Sequence, residues 1–149
     1  MTKTVFIEQQ IISAVRGLLT GRVNEILGNN QFTIPIFEIG EYGGGCNVVP
    51  VITLTTCETT EKERVILQDC YSLSIFLTVP ETPESDFHCY AYSGAISRAV
   101  YENPTLGGIA ERVEINGKKY LTPKKANCGQ EWGLVISLRV TVEGNTYDG

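Results

Sequence analysis

The chain has 149 residues, of which 42% are apolar and 19% are charged, and its formal net charge is −5. This composition is typical of a globular protein long enough to bury one sizeable core, and it excludes a disordered or fibrous chain. The acidic balance argues against nucleic acid as the main ligand, because phosphate binding depends on a surplus of Lys and Arg.

Neither a membrane span nor a leader peptide is expected. No stretch approaches the roughly 20 apolar residues that a bilayer requires. Residues 1–4, Met-Thr-Lys-Thr, lack the basic cluster and apolar core of a signal peptide. We therefore expect one soluble domain over residues 1–149, made in a cytoplasm and without a membrane partner.

Apolar residues recur at helical spacing from Val5 to Leu27, which predicts one amphipathic helix of about six turns. Gly17 and Gly21 interrupt this pattern, and we predict a kink or a close backbone contact there. The run Gly28-Asn29-Asn30 is predicted to end the helix through a left-handed C-cap.

Two strands that each contain a proline are predicted next, at Phe32–Ile39 and Val48–Thr56. The glycine-rich stretch 40–45 between them is predicted to be a flexible tip. Residues 58–64 are rich in charge, and they are predicted to form a polar, exposed connection.

Strict alternation of polarity over residues 71–79 and 134–143 predicts two strands that sit centrally in a sheet. Between them, Ser85 and Asp86 are suited to cap a second helix that runs to about Tyr101. The predicted apolar side of that helix consists of Phe87, Tyr90, Ala91, Gly94, Ala95 and Val100.

Strands are also predicted at Ile109–Ile115 and Lys118–Thr122, and the Asn116-Gly117 pair between them is a strong signal for a β-hairpin. The order of elements predicts an α+β fold. We expect a largely antiparallel or mixed sheet with two helices packed on one face, plus a β-hairpin.

Residues suited to catalysis or metal binding are sparse. The five cysteines contain no Cys-x-x-Cys pair, so they indicate reduced thiols and not a zinc site. His88 is the one histidine, and it would diverge from Cys89 on a helix. No Lys-Ser/Thr follows Gly43-Gly44-Gly45, which favours a mobile loop over a phosphate loop. Asp69 is interpreted as an edge or hydrogen-bonded strand-entry residue, so we predict no catalytic residue, cofactor or metal.

Positive charge is concentrated between residues 112 and 125, in Arg112, Lys118, Lys119, Lys124 and Lys125, opposed by Glu114. Two interpretations stay open. The lysines could form a solvated hairpin that resists edge-to-edge aggregation. They could instead complement the acidic stretch Glu58–Glu63 or Glu81–Asp86 of a neighbouring subunit, in a head-to-tail ring.

One segment carries a family resemblance. Residues 98–113 place Asn103-Pro104-Thr105-Leu106-Gly107-Gly108 between a helix end and a strand. This resembles the "helix, Asp-Pro-Thr-Leu-Gly-Gly, strand" segment of tail terminator and minor tail proteins of long-tailed bacteriophages. Asn103 stands where that family has Asp. Pro104 would stop the helix, Leu106 would return to the core, and the glycines would permit positive φ.

The resemblance implies a non-enzymatic subunit of the virion tail, assembled in the cytoplasm of a bacterial host. It would form a ring, expected to be a hexamer, that caps the tail tube, ends its polymerisation and offers a head-tail joining surface. The implied partners are copies of itself, the tail tube protein and a head connector or completion protein, with DNA at most passing through the ring. The candidate contact residues are Gly43, Gly44, Gly45, Glu58, Glu61, Glu63, Arg112, Lys118, Lys119, Lys124 and Lys125. The alternatives are a small non-viral α+β ligand-binding or regulatory module and, third, a cysteine-dependent enzyme.

Overall fold

A computed structural model of the chain describes residues 3–31, 50–63, 66–79, 85–122, 132–144 and 147–148. In chain order the elements are β1 (Lys3–Thr4), α1 (Ile7–Leu18), a π-helical segment (Leu19–Val23), α2 (Asn24–Asn29), β2 (Val51–Glu63), β3 (Ile66–Val79), α3 (Ser85–Glu102), β4 (Arg112–Leu121), β5 (Trp132–Gly144) and β6 (Tyr147–Asp148). The predicted strand Phe32–Ile39 and the predicted tip at 40–45 lie outside the described residues.

Among the described residues, the main sheet has four antiparallel strands in the spatial order β2-β3-β5-β4. The two central strands, β3 and β5, are those whose alternation was clearest in the sequence. The long helix formed by α1, the π-helical segment and α2 packs on one face of this sheet together with α3, and all of them share a single core with it. The predicted α+β class is therefore confirmed. The short strands β1 and β6 pair in parallel as a separate two-stranded sheet.

The long helix predicted at Val5–Leu27 runs from Ile7 to Asn29 and contains the π-helical segment. Its buried residues explain the irregularity. Five buried residues follow one another at intervals of four, at positions 7, 11, 15, 19 and 23. Because an α-helix has 3.6 residues per turn, such a row drifts by about 40° per step. A π turn, with i→i+5 hydrogen bonds, takes up the excess and returns the row to the core.

Gly17 and Gly21 were predicted to mark a kink or a close backbone contact, and the structure excludes the close contact. Gly21 lies in the π-helical segment and Gly17 in regular helix, and a Cβ at either position would meet no heavy atom within 4 Å. A close backbone contact is therefore not the reason for them. The helix ends one residue after Gly28, and the left-handed residue is Gln31, at φ 63°.

Helix α3, which is the second helix predicted from the sequence, has the predicted bounds but buries a different side. Its core residues are Cys89, Tyr92, Ser93, Ala95, Ile96, Ala99 and Val100. Phe87, Tyr90 and Gly94 were predicted to face the core, yet they are exposed. Both sides of this helix carry apolar residues, so periodicity alone could not select the one that contacts the sheet. The apolar residues on the other side of α3 therefore form an exposed stripe.

The predicted hairpin at Asn116-Gly117 is wrong. The chain continues through these residues as the single strand β4, paired with β5 on both sides of a register shift between Ile115 and Gly117. Two residues oppose one at such a β-bulge. The β-hairpin of the fold is formed instead by β2 and β3, where Glu63 pairs with Ile66.

Residues 58–63 are also not the connection that was predicted. They continue β2 and pair with β3 along their length. The strand begins at Val51, directly after Pro50, which has no N–H to donate. Because Glu58 and Glu61 are exposed on an outer strand, their charges remain in water and do not oppose strand formation.

Candidate docking surface

In the part of the chain that the structure describes, the outer edge of β4 is open over most of its length. Within the described chain β4 pairs only with β5, and its other side has no strand beside it. At its start, the Val113 N–H donates to the Pro104 carbonyl at 2.7 Å and so points away from β5. Backbone groups alternate in direction along a strand. Ile115 and, beyond the bulge, Lys118 and Tyr120 therefore also direct backbone groups outward.

A groove of about 690 Å³ lies between this edge and α3. Its lining includes Gly94, Ser97, Arg98 and Tyr101 from the helix and Ile115 and Lys118 from the strand. The Tyr101 side chain is 87% exposed, although it is large and mostly apolar. Small residues in the middle of the helix and a half-buried Ile115 leave an apolar floor. Such a groove beside an open strand edge suits a second strand.

The groove continues at one end into an aromatic cluster. The Tyr90 ring meets the Tyr120 ring edge-on at a centroid distance of 5.5 Å, and it meets Trp132 at 6.5 Å. The Tyr120 hydroxyl lies 2.9 Å from the Ser93 Oγ, which ties the strand to the helix. Tyr90 nevertheless stays 53% exposed. Exposed aromatic residues next to an open edge are typical of protein interfaces.

The turn at residues 103–108 holds α3 and β4 in this arrangement. The Asn103 side-chain amide donates to the Ala99 carbonyl at 2.9 Å, a bond that an ionised Asp could not make. Leu106 is buried at 6% exposure, and its own φ is 50°. Gly107 and Gly108 follow at φ 71° and 95°. The expected return of Leu106 to the core and the positive φ of both glycines are confirmed.

An ion pair fixes the end of α3 to the π-helical segment. Arg22 donates to both carboxylate oxygens of Glu102, at 2.7 and 3.0 Å, and its Nη1 contacts Glu25 at 2.6 Å. Arg98 adds a longer contact to Glu102 at 3.4 Å. The hydrogen bonds from Arg22 lower the pKa of Glu102, and those with Glu102 raise the pKa of Arg22.

The other outer strand of the sheet formed by the described residues, β2, has the opposite charge. It contains Glu58, Glu61 and Glu63 against one basic residue, Lys62, for a net charge of −2. In contrast, β4 contains Arg112, Lys118 and Lys119 against Glu114, for a net charge of +2. Glu58 and Glu61 are exposed, as are the three basic residues of β4. The two edge strands of the sheet therefore carry net charges of opposite sign.

The predicted contact residues divide among several places. Lys118 is paired with the core residue Ile136 and lines the groove on the helix side. Lys119 and Arg112 project from the opposite face, where Arg112 contacts Glu114 at 3.2 Å. Gly43, Gly44, Gly45, Lys124 and Lys125 lie outside the described residues. Tyr101, Tyr90 and Tyr120 were not among the predicted contacts.

Cys89, His88 and Asp69 are the described residues that the sequence offered as candidates for catalysis. Cys89 is fully buried, and burial raises the pKa of its thiol to about 11, so it is protonated at neutral pH. His88 is half-buried with its ring 6.4 Å from that of Phe87. Asp69 is 2% exposed on a central strand, not an edge, and it accepts a 2.6 Å hydrogen bond from Thr59.

No three His, Cys, Asp or Glu residues of the described ranges come together in a way that could hold a metal ion. No helix in the described part of the chain is long and apolar enough to cross a membrane.

Comparison with known proteins assigns the chain to no family. No protein-family model matches the chain, and no curated protein matches it. A chain from a solved structure of the "virion of native gene transfer agent (GTA) particle" is 13% identical and aligns over 89% of this chain and 93% of its own length, with a TM-score of 0.45. A likeness this remote assigns no function to the protein.

Proposed function

We propose that the protein is a structural subunit of a phage-like virion tail that works by assembling with copies of itself. In this role it forms a hexameric ring that caps the tail tube, stops its polymerisation and presents a surface to the head connector. Covalent chemistry has no part in such a mechanism. The working surfaces are backbone edges and exposed apolar side chains.

The observation that carries the proposal is the pair of open edges on one four-stranded sheet. The described part of the chain leaves both β2 and β4 without an outer neighbour. Monomeric proteins usually protect such edges, because unpaired N–H and C=O groups invite pairing with another chain. Here one edge is flanked by a groove and by Tyr101, which is almost fully exposed. A ring-forming subunit needs two different contact surfaces of this kind.

The turn at residues 103–108 gives the second support. The resemblance to tail terminator and minor tail proteins rests on this segment, and its conformation matches what the sequence motif requires. Pro104 ends the helix region and supplies the carbonyl for Val113, while Leu106 anchors the turn in the core. The segment thereby sets the position of β4 relative to α3, which defines the groove.

Mass measurement and imaging of the purified chain test the proposal. Native mass spectrometry should find a species of six times the 16.4 kDa protomer mass at high protein concentration. Negative-stain electron microscopy of that species should show a ring with a central opening. A chain that stays monomeric or dimeric under these conditions would refute the proposal and favour the alternative, a small non-viral ligand-binding or regulatory module.

A further inference from the structure

We infer that the occupant of the groove between α3 and β4 is strand β2 of a second copy of this chain, added antiparallel to β4. The inference rests on the proposed ring and names its interface. It follows from three properties of the two edges: their direction, their charge and the side chains that flank them.

Strand direction favours this pairing. Each neighbouring pair in the order β2-β3-β5-β4 is antiparallel, so β2 and β4 themselves run in opposite directions. When a second copy is placed beside β4 with its helices on the same face, its β2 is antiparallel to β4. The alternation of the sheet then continues from one copy into the next. Repeating this step gives a head-to-tail assembly that closes into a ring if the rotation allows.

Charge selects this contact over the two symmetric ones. Two-fold contacts β4 to β4 or β2 to β2 would also be antiparallel, but they would oppose edges of net charge +2 and +2, or −2 and −2. The β2 to β4 contact instead joins −2 to +2. Like charges placed opposite one another at an interface are costly, and this selects partners as strongly as attraction does.

Side-chain placement agrees with the charge. Lys118 lies on the helix side of β4, opposite the core residue Ile136. Glu61 lies on the helix side of β2, where it is opposite Leu67. It is two residues from Thr59, which pairs with the buried Asp69 on the same side of the sheet. Lys119 and Glu58 both lie on the other face, opposite Val135 and Cys70 respectively. Each lysine therefore has a glutamate on its own face of the combined sheet.

The helical layer would continue together with the sheet. In one copy, α1 contacts β2 and α3 contacts β4. When β2 of the next copy joins β4, its α1 comes beside α3 and over the groove. Tyr101, exposed on the groove side of α3, would then be covered by the second copy. Among the described residues, the one backbone bond on the outer side of β4 is that from the Val113 N–H to Pro104, so a strand can pair with this edge from Ile115 onward.

Paired charge reversals test the interface. One variant carries Lys118→Glu and Lys119→Glu, so both of its edges are acidic, and the other carries Glu58→Lys and Glu61→Lys, so both are basic. Each variant alone should lose the ring, with association weakened by at least about tenfold. An equimolar mixture should restore it, because acidic and basic subunits can alternate around a ring with an even number of positions. Native mass spectrometry should find equal numbers of the two proteins in that ring.

A charge-conserving variant, Lys118→Arg with Lys119→Arg, serves as the matched control and should form the wild-type ring. Circular dichroism checks that each variant is folded. If the wild type forms a ring and Glu58→Lys with Glu61→Lys still does so, β2 is not at the interface, and this inference fails while the proposed function stands. Folded variants that do not assemble when mixed would also overturn it. If the wild type forms no ring at all, the proposed function fails, and the interface fails with it.

Discussion

Replacing Leu106 by Ala and by Gly separates the effect of side-chain burial from that of backbone strain in the turn after α3. The side chain is 6% exposed, so truncation to Ala removes buried surface and should cost about 3 kcal/mol of unfolding free energy. For a protein of this size, that corresponds to a fall in Tm of roughly 6–12 °C. Leu106 also holds φ at 50°, a left-handed conformation that strains any residue except Gly by about 1 kcal/mol.

The comparison with Gly isolates the strain. Leu106→Gly loses slightly more buried surface than Leu106→Ala, but it relieves the backbone strain. The unfolding free energies of the two variants should therefore agree within about 0.5 kcal/mol. Leu18 provides the matched control, because it is half-buried in a helix at φ −65°. There, Leu18→Gly should be less stable than Leu18→Ala by about 1 kcal/mol.

Urea unfolding followed by circular dichroism measures all four variants. The reasoning about backbone strain is refuted if Gly is as much worse than Ala at position 106 as it is at position 18. The reasoning about burial is refuted if Leu106→Ala unfolds within about 0.5 kcal/mol of the wild type, which is the range of ordinary surface substitutions.

Three further predictions use other parts of the same region. Gly107→Ala should cost about 1 kcal/mol, because φ is 71° there, whereas Gly117→Ala, with open space and no positive φ, should change unfolding by less than about 0.5 kcal/mol. The stability gap between the wild type and Glu102→Gln should be constant near neutral pH and should close as pH falls below about 4 in thermal melts, because the pKa of Glu102 is lower in the folded chain than in the unfolded one. A gap that widens in acid would contradict this sign. Tyr101→Ala should leave the Tm of the protomer unchanged and reduce the ring population in native mass spectrometry, since the side chain is 87% exposed; a destabilised protomer would show that Tyr101 belongs to the core.

The parts of the fold that the sequence predicted well are those where one physical rule dominates. Period-two alternation placed β3 and β5 at the centre of the sheet, because strands buried on one face have few other ways to arrange such residues. The turn at 103–108 was likewise readable. Pro104 fixes its own φ and stops the helix, the two glycines permit the positive φ that the turn needs, and Leu106 is the one large apolar residue between them.

The errors arose where a local signal competed with a partner distant in sequence. Asn116-Gly117 favours a hairpin locally, but β5 pairs with the residues on both sides of it, and the extra residue becomes a bulge. The acidic run 58–63 reads as a loop until β3 is placed beside it. In α3 the exposed positions of Phe87 and Tyr90 followed from packing that no single helix reveals.

The candidate surface could be predicted only in part for the same reason. Charge alone singled out Lys118, Lys119, Glu58 and Glu61 as candidates for contact with a partner of opposite sign. Tyr101 was not, because one aromatic residue near a helix end carries no signal of exposure. The groove itself depends on the open side of β4, and an open strand edge is a property of the assembled sheet.

The π-helical segment has a consequence for how the chain tolerates changes in length. A π turn holds one residue more than the α-helical path between the same flanking turns needs. Removing the exposed Gly21 would convert the segment to ordinary α-helix while α1 and α2 keep their orientation toward the sheet. A deletion inside α1 would instead rotate every following residue by about 100° and turn Leu19 and Val23 away from the core. Among homologous chains, single-residue length differences in this helix should therefore fall between Leu19 and Val23.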